Sequence, residues 1–206
     1  DGRWTIVFNG CVYNYLELKQ ELRARGVSFN SSSDTEVLAE AIAAHGMSIV
    51  TKLNGMFAIA AWDNLERKLY LSRDRYGIKP LYYWFNGQVL WFASEIKAII
   101  NHPQYRIGVN YSALNEYFTF QNVFNYHTLF DGVTMLPPAN TVCMDVTSKG
   151  VKHSSWWDYD FTQTDNKISF GDAKEETERL FRQAVTRQMV SDVPVGAFLS
   201  AGIDSS

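Results

Sequence analysis

Two hydrophobic patterns alternate along the first hundred residues, and turn signals separate them. Runs of β-branched and aromatic residues predict strands, whereas apolar residues at i, i+3 and i+4 predict amphipathic helices. The predicted strands cover residues 4–8, 11–13, 57–62, 69–72, 81–85, 88–92 and 141–145. The predicted helices cover residues 14–26, 33–46, 94–100, 111–120 and 173–188. Helices and strands alternate too often for an all-β sandwich.

Short local signals mark where several of these elements begin and end. The dipeptides Asn9-Gly10 and Asn86-Gly87 lie between predicted strands, and Asn-Gly is the pair that best fits a type I′ hairpin turn. The helices predicted from Asn14 and from Ser33 each have a glutamate three residues later, which is the capping-box pattern. We therefore predict two hairpins and two capped helices.

The pattern changes near residue 158. We predict a first domain over 1–158, a polar linker over 159–169 and the start of a second domain over 170–206. In that second part, residues 195–199 are continuously apolar, as in a strand buried in a parallel sheet. The chain starts without Met and stops just after this strand, so we expect it to be a fragment.

Composition excludes several classes of protein. With 46% hydrophobic residues and 15% aromatic residues, the chain is not disordered or collagen-like. Nineteen basic against 22 acidic residues give a net charge of −3, so no overall positive field favours nucleic acid or an anionic membrane. Two cysteines, Cys11 and Cys143, cannot form a disulfide framework. With no long apolar run and no secretory leader, the prediction is a cytoplasmic protein.

The loop over residues 200–206 is the first candidate for chemistry. Its small and hydroxylated residues follow an apolar strand, and such a loop can direct backbone N–H groups at a phosphate. Ser200 and Ser205 would add donors, and Asp204 could position Mg²⁺ on a pyrophosphate. An ordinary strand-to-helix connection with a serine cap fits the spacing equally well. It is not a Walker A loop, because the Gly-Lys-Ser/Thr ending is absent.

Three further segments each have two interpretations. Asn9-Gly10 is a hairpin turn, the favoured interpretation, or an amide and a backbone N–H that bind an oxyanion. Asp34 stabilises the first turn of its helix or binds a substrate ammonium. The Arg73-Asp74-Arg75 segment is more simply a rigid loop, with its arginines paired to Asp74 and Gly77 at positive φ, than a phosphate site. The four histidines are too far apart for local zinc spacing.

Ordered motifs run along the whole chain and together resemble those of the glutamine-hydrolysing asparagine synthetases, which are class II glutamine amidotransferases. They are Phe8-Asn9-Gly10, Tyr13-Asn14-Tyr15, Ser33-Asp34-Thr35-Glu36, Asn54-Gly55-Met56-Phe57-Ala58, Arg73 to Tyr83, Ala93 to Lys97, Leu136-Pro137-Pro138 and Asp192 to Ser206. The resemblance implies an α+β fold. Its first domain would be an incomplete αββα sandwich of the N-terminal-nucleophile-hydrolase type, followed by the start of an α/β ATP-pyrophosphatase domain.

The resemblance also implies a reaction. An N-terminal cysteine would hydrolyse glutamine, and the ammonia would reach β-aspartyl-AMP made from aspartate and ATP with Mg²⁺. The products would be asparagine, glutamate, AMP and pyrophosphate. The implied partners are glutamine, aspartate, ATP and a second copy in a homodimer, with neither nucleic acid nor a membrane.

Site residues follow from the same resemblance, position by position. Asn9 and Gly10 look like the oxyanion-hole pair, and Asp34 resembles the residue that holds the glutamine ammonium. The positions resembling the ATP and pyrophosphate site are Leu199, Ser200, Ala201, Gly202, Asp204 and Ser205. Asp204 would be the position near Mg²⁺.

Three departures from the family pattern stand out. The nucleophilic cysteine would lie upstream of Asp1, so we expect this chain alone to be inactive. Cys11 replaces a glutamate that would contact the glutamine ammonium; it lines the glutamine site but has no α-amine beside it to make it a nucleophile. Ala201 replaces a glycine of the loop, which would cost about 1 kcal/mol at positive φ. Two other functions remain open: amidation of another carboxylate, such as a cell-surface sugar precursor, and a non-catalytic remnant.

Overall fold

The computed structural model describes residues 2–162, 168–191, 193–198, 200 and 202–203, and the chain divides into two units, 1–159 and 160–206. Within the described residues, the elements in chain order are β1 (Trp4–Val12), α1 (Tyr15–Ala24), α2 (Asp34–His45), a 3-10 helix (Gly46–Lys52), β2 (Gly55–Asp63), β3 (Lys68–Arg73), β4 (Tyr82–Phe85), β5 (Leu90–Ala93), α3 (Ile96–Ile100), α4 (Tyr111–Phe120), β6 (Thr134–Met135), β7 (Asn140–Asp145), β8 (Gly150–Ser155) and α5 (Phe170–Gln188).

An antiparallel sheet with the strand order β1-β2-β3-β7-β8 forms the larger half of the first unit. Strand β1 is therefore an edge strand. Its pairing with β2 is continuous from Trp4 opposite Asp63 to Val12 opposite Gly55. The predicted hairpin at Asn9-Gly10 is wrong, because both residues lie inside one nine-residue strand.

Gly10 allows the backbones of β1 and β2 to approach closely, and it does not form a turn. A Cβ atom built on Gly10 would overlap the carbonyl oxygen of Met56 and lie 2.8 Å from the Cα of Phe57. Gly55 stands in the same relation to the Cys11 carbonyl oxygen on the opposite strand. Glycine inside a strand marks such an approach as often as it marks a bend, and the Asn-Gly dipeptide alone does not distinguish the two.

Helices α1 and α2 cover one face of the larger sheet. The buried residues Val37, Leu38, Ala41 and Ile42 of α2 form the predicted apolar face and pack in one cluster with Phe57 and Ile59 of β2. Ser33 caps α2 by accepting the Thr35 N–H at 3.1 Å. Each fully buried Val, Leu, Ile or Phe side chain stabilises the fold by about 1.5–3 kcal/mol relative to an exposed one.

A smaller sheet with the order β5-β4-β6 packs on the other face. Ala58, Ala60 and Leu71 of the larger sheet share a cluster with Tyr83 and Phe92 of the smaller one. On the far side of the smaller sheet, Ile99 of α3 forms a third cluster with Tyr105 and Val133. The layers are thus helix, sheet, sheet and helix, which is an αββα sandwich.

Other predicted elements agree with the structure, with small shifts. The second hairpin is confirmed, but its turn is centred one residue later, with Gly87 at φ +89° and Asn86 N–H donating to the Val89 carbonyl at 3.3 Å. The side chain of Asn14 does not cap α1, so that capping box is wrong. The second box is half right: Ser33 caps α2, but Glu36 accepts the N–H groups of Asn30 and Ser31 and not that of Ser33. Strand β8 was not predicted, because only Val151 of its six residues is even half-buried.

Helix α5 in the second unit begins at Phe170, after the Ser169 cap, which is three residues before the predicted start. None of its residues is buried. Residues 195–198 form no strand, so for its described part the predicted buried strand is wrong. A strand needs a hydrogen-bonded neighbour, and the described residues of this unit supply none. No helix in the described ranges is long and apolar enough to span a membrane.

Candidate functional site

The free edge of β1 carries the predicted glutamine-site residues. In an antiparallel pair, successive residues direct their N–H and C=O groups alternately toward the partner strand and away from it. Tyr13 N–H donates to the Asn54 carbonyl at 2.7 Å. The backbone N–H and C=O groups of odd-numbered residues in this part of the chain therefore point to β2. Phe57 lies opposite Gly10, and its N–H donates to Asp74 on the β3 side and not to β1. The N–H groups of Gly10 and Val12 are therefore directed to the free edge.

Asp34 lies on this same edge. Its Oδ2 accepts the Val12 N–H at 3.0 Å, and its Oδ1 accepts the Thr35 hydroxyl at 3.4 Å. Ser33 already caps α2, so the carboxylate is not needed for that purpose. Two residues of strand span about 7 Å, which sets the distance along the edge between the Gly10 N–H and the N–H that holds Asp34.

Asn9 presents its side chain on the face of β1 that points to the smaller sheet. It lines a pocket of about 180 Å³ between the sheets, together with Ala58 and Phe92. Its Nδ2 donates to the Ser94 hydroxyl at 3.1 Å, leaving the second N–H of the amide for another acceptor. A side-chain amide and a backbone N–H from adjacent residues can together stabilise a developing oxyanion.

Ser94 was part of the sequence motif but had no predicted role. It follows β5 directly, and its hydroxyl fixes the Asn9 amide from the opposite sheet. A small hydroxylated residue at the end of a strand was the available signal. The contact spans 85 residues, so local sequence pattern could not have revealed it.

Cys11 is half-buried between charged neighbours. Burial raises the pKa of its thiol, the Asp34 carboxylate raises it further, and the Lys79 ammonium lowers it. Since the net pKa is raised, the thiol stays protonated at neutral pH and is a poor nucleophile. Lys79, which sequence analysis assigned no role here, is thus close enough to the site to affect its electrostatics.

Gly77, after the Arg73-Asp74-Arg75 segment, has the predicted positive φ, +65°. The predicted pairing of the arginines with Asp74 is wrong. The Arg73 guanidinium donates to three backbone carbonyls, those of Gly77, Lys79 and Leu136, at 2.5–2.7 Å. The Arg75 guanidinium donates to the carbonyls of Leu53 and Thr51, both at 2.6 Å. Backbone carbonyls, already fixed by the fold, satisfy the guanidinium donors without a carboxylate.

The predicted pyrophosphate loop is only partly described. Leu199, Ala201, Asp204 and Ser205 lie outside the described residues. Within the described part, the Gly202 N–H donates to the Ser200 hydroxyl at 3.4 Å. The ranges that the structure describes contain no group of three histidine, cysteine or acidic side chains that could hold a metal ion.

Comparison with known families decides the identity of the first unit. A family described as glutamine amidotransferase domain matches residues 1–157. The chain belongs to this family. A second family, described as asparagine synthase, matches residues 176–206 of the chain.

Curated relatives extend the similarity along the whole chain. The chain is 40% identical over 204 residues to asparagine synthetase [glutamine-hydrolyzing] 3 of Bacillus subtilis, covering 98% of the chain and 33% of the relative. It is 38% identical over 217 residues to asparagine synthetase [glutamine-hydrolyzing] 1 of the same organism, covering 100% and 32%. The chain thus spans about a third of the length of these relatives. The resemblance to the asparagine synthetases is confirmed.

A solved structure supports the fold. Glutamine phosphoribosylpyrophosphate amidotransferase from B. subtilis, in complex with ADP and GMP, superimposes with a TM-score of 0.53 at 22% identity. The match covers 77% of this chain and 30% of that chain. Together with the observed layers, it confirms the predicted N-terminal-nucleophile-hydrolase-type sandwich.

Proposed function

We propose that the first unit binds glutamine along the free edge of β1 and stabilises the oxyanion formed when its side-chain amide is hydrolysed. One observation carries the proposal: the antiparallel ladder directs the Gly10 N–H to this edge, beside the Asn9 amide and on the same side as Asp34. In this role the Asp34 carboxylate accepts the α-ammonium of glutamine. The bond from Val12 N–H holds that carboxylate in place.

The chemical step requires a nucleophile that attacks the side-chain carbonyl carbon. The resemblance assigns this task to an N-terminal cysteine and not to Cys11, whose raised thiol pKa disfavours attack. As the C–S bond forms, the carbonyl oxygen becomes negative, and Asn9 and Gly10 donate hydrogen bonds to it. The α-amine of the N-terminal cysteine would take the thiol proton and pass it to the amide nitrogen, so that the C–N bond breaks and ammonia leaves. Water then hydrolyses the thioester to glutamate and restores the thiol.

We further infer that the ammonia is used to make asparagine. The match of residues 176–206 to the asparagine synthase family and the names of the relatives support this step. Aspartate and MgATP would supply β-aspartyl-AMP, with release of pyrophosphate. The pyrophosphate would lie on the loop from Ser200 to Ser205, with Leu199 against the adenine and Asp204 near Mg²⁺. A cytoplasmic location and a homodimer stay predictions.

The test uses the full-length protein that carries this chain. AMP and asparagine formation are measured from MgATP and glutamine, with and without aspartate, for the wild type and for Asn9→Ala. We expect aspartate-dependent turnover that falls about 10²- to 10³-fold in Asn9→Ala with glutamine but persists when ammonia replaces glutamine. Turnover without aspartate dependence would move the function to another carboxylate acceptor. Unchanged glutamine use by Asn9→Ala would refute the oxyanion role.

A further inference from the structure

Asp74 follows β3 directly and continues its ladder by one residue, opposite Phe57. Its backbone N–H donates to the Phe57 carbonyl at 2.9 Å, and its Oδ2 accepts the Phe57 N–H at 3.1 Å. One residue thus holds both polar groups of Phe57. The Asp74 side chain is fully buried.

The carboxylate of Asp74 also organises the loop that follows it. Oδ2 accepts the Lys79 N–H at 3.0 Å, and Oδ1 accepts the N–H groups of Tyr76 and Ile78 at 3.1 and 2.9 Å. With Phe57, four backbone donors converge on two oxygens, which is the number of lone-pair sites that an ionised carboxylate offers. A neutral amide at this position would direct its NH₂ group at two of these donors.

Phe57 connects Asp74 to the candidate oxyanion site. It lies opposite Gly10 in the β1–β2 register, and the absent side chain of Gly10 lets the two backbones approach closely. Any shift of the Phe57 peptide is therefore transmitted to Gly10 without an intervening side chain. Arg73 closes the same loop onto the Lys79 carbonyl at 2.7 Å, so the carboxylate has little freedom to move.

We propose that Asp74 is a positioning residue for glutamine hydrolysis: its carboxylate holds the Phe57 peptide and thereby sets the position of the Gly10 N–H. The inference rests on the proposed function. Asp74 touches neither glutamine nor the nucleophile in this role. Its contribution is geometric, and a misplaced donor lowers the rate of the chemical step more than it weakens substrate binding.

The experiment compares Asp74→Asn with the matched variant Asp63→Asn in the full-length protein. Asp63 is also a buried carboxylate of the β2 region; it accepts the N–H groups of Leu65 and Glu66 and pairs with Arg3, but at the end of β2 far from Gly10. Both variants lower the melting temperature. For Asp74→Asn we expect the glutamine-dependent kcat to fall about 10- to 100-fold with KM within twofold, while ammonia-dependent synthesis persists.

Both activities are measured below the temperature at which any variant begins to unfold, because unfolding of the first unit alone would also lower the ratio of glutamine-dependent to ammonia-dependent activity. Asp63→Asn lies in the same unit, so it reports how much a loss of stability by itself changes that ratio. An unchanged ratio in Asp74→Asn, or an equal fall in Asp63→Asn, would overturn the inference. If Asp74→Asn does not fold, Asp74→Glu keeps the charge but moves the oxygens by about 1.5 Å, and the same selective fall in kcat is expected. Asn9→Ala tests the proposed function separately: a severe loss there beside an unchanged ratio in the Asp74 variants would refute the positioning role alone.

Discussion

Different kinds of interaction stabilise the two units of the chain, each taken by itself. In the first, residues distant in sequence meet: β3 pairs with β7 across 69 residues, and Asn9 meets Ser94 across 85. In the second, α5 carries short-range ion pairs, Arg179 with Glu176 and Arg182 with Glu178, and none of its residues is buried. A site built by tertiary contacts is fixed within the first unit, whereas α5 forms from local signals alone.

The largest difference is expected for core truncation. Leu38→Ala removes a fully buried side chain of α2 and should lower the free energy of unfolding by about 3 kcal/mol. Leu180→Ala in α5, where the leucine is 48% exposed, should change it by less than about 0.5 kcal/mol. All six tryptophans lie in the first unit, so tryptophan fluorescence in a urea titration measures its unfolding. Equal losses of stability in the two variants would contradict the difference in packing between α2 and α5.

A glycine pair gives the next largest effect. Gly10→Ala places a methyl group against the backbone of β2 and should destabilise the first unit by about 2–3 kcal/mol. Gly196→Ala, in the second unit, has no heavy atom within 4 Å of the new methyl and should leave the melting temperature unchanged. Thermal denaturation followed by fluorescence measures both. Full stability of Gly10→Ala would show that β1 and β2 do not approach as closely as described.

Acid stability distinguishes the two units less strongly. The hydrogen bonds from Arg3 hold the pKa of the Asp63 carboxyl below its usual value, against the opposing effect of burial. A lowered folded pKa stabilises above the unfolded value of about 3.9, and this stabilisation is lost as the pH falls through the folded pKa. Arg179 likewise lowers the pKa of Glu176, but that pair is exposed and salt screens it.

We therefore expect Asp63→Asn to flatten the decline in stability between about pH 4 and pH 2. The effect should persist in 1 M NaCl as well as in 0.05 M NaCl, because the Asp63 side chain is 1% exposed, although that of Arg3 is 39% exposed. Glu176→Gln should alter the helix signal of α5 at low salt only. Circular dichroism for α5 and fluorescence for the first unit follow the two reactions. Complete loss of the Asp63→Asn effect in 1 M NaCl would contradict the burial of the Asp63 carboxylate.

The smallest expected effect concerns the Cys11 thiol. Asp34→Asn removes a charge that raises the thiol pKa and should speed alkylation at pH 8, whereas Lys79→Met should slow it. A Coulomb energy on the order of 0.5–1 kcal/mol corresponds to about a two- to fivefold change in rate. Mass spectrometry of iodoacetamide-treated chain gives the rate, with Cys143 as the internal reference. Identical rates in both variants would separate these charges from Cys11.

Local signals predicted the elements well where the decisive interactions were themselves local. The Ser33 cap, the apolar face of α2 and the second hairpin each depend on residues within a few positions of one another. The hairpin predicted at Asn9-Gly10 was wrong because an Asn-Gly dipeptide fits both a hairpin turn and a point where two paired strands approach closely. What decides between them is β2, which lies more than forty residues later.

The site shows the same division. Asn9, Gly10 and Asp34 were selected by family resemblance. The position of the Gly10 N–H and Asp34 on one strand edge, with the Asn9 side chain on the adjoining face, followed only from the strand register. Ser94 and Lys79 reach the site through other strands and loops, so no spacing rule indicated them. The positive φ of Gly77 was predicted correctly, but the partners of Arg73 and Asp74 are backbone groups, which have no signature in sequence.

The strand order of the larger sheet also governs when the fold can be completed during synthesis. Strands β1, β2 and β3 are neighbours in both sequence and sheet, whereas β7 must join β3 across a long intervening segment. At about 5–20 residues per second, a ribosome needs roughly 4–14 s to make that segment. During this interval the outer side of β3 is an unpaired strand edge, open to wrong pairing or to a chaperone. The nascent chain can therefore pair β1, β2 and β3, with Asp74 against Phe57, before β7 and β8 complete the sheet.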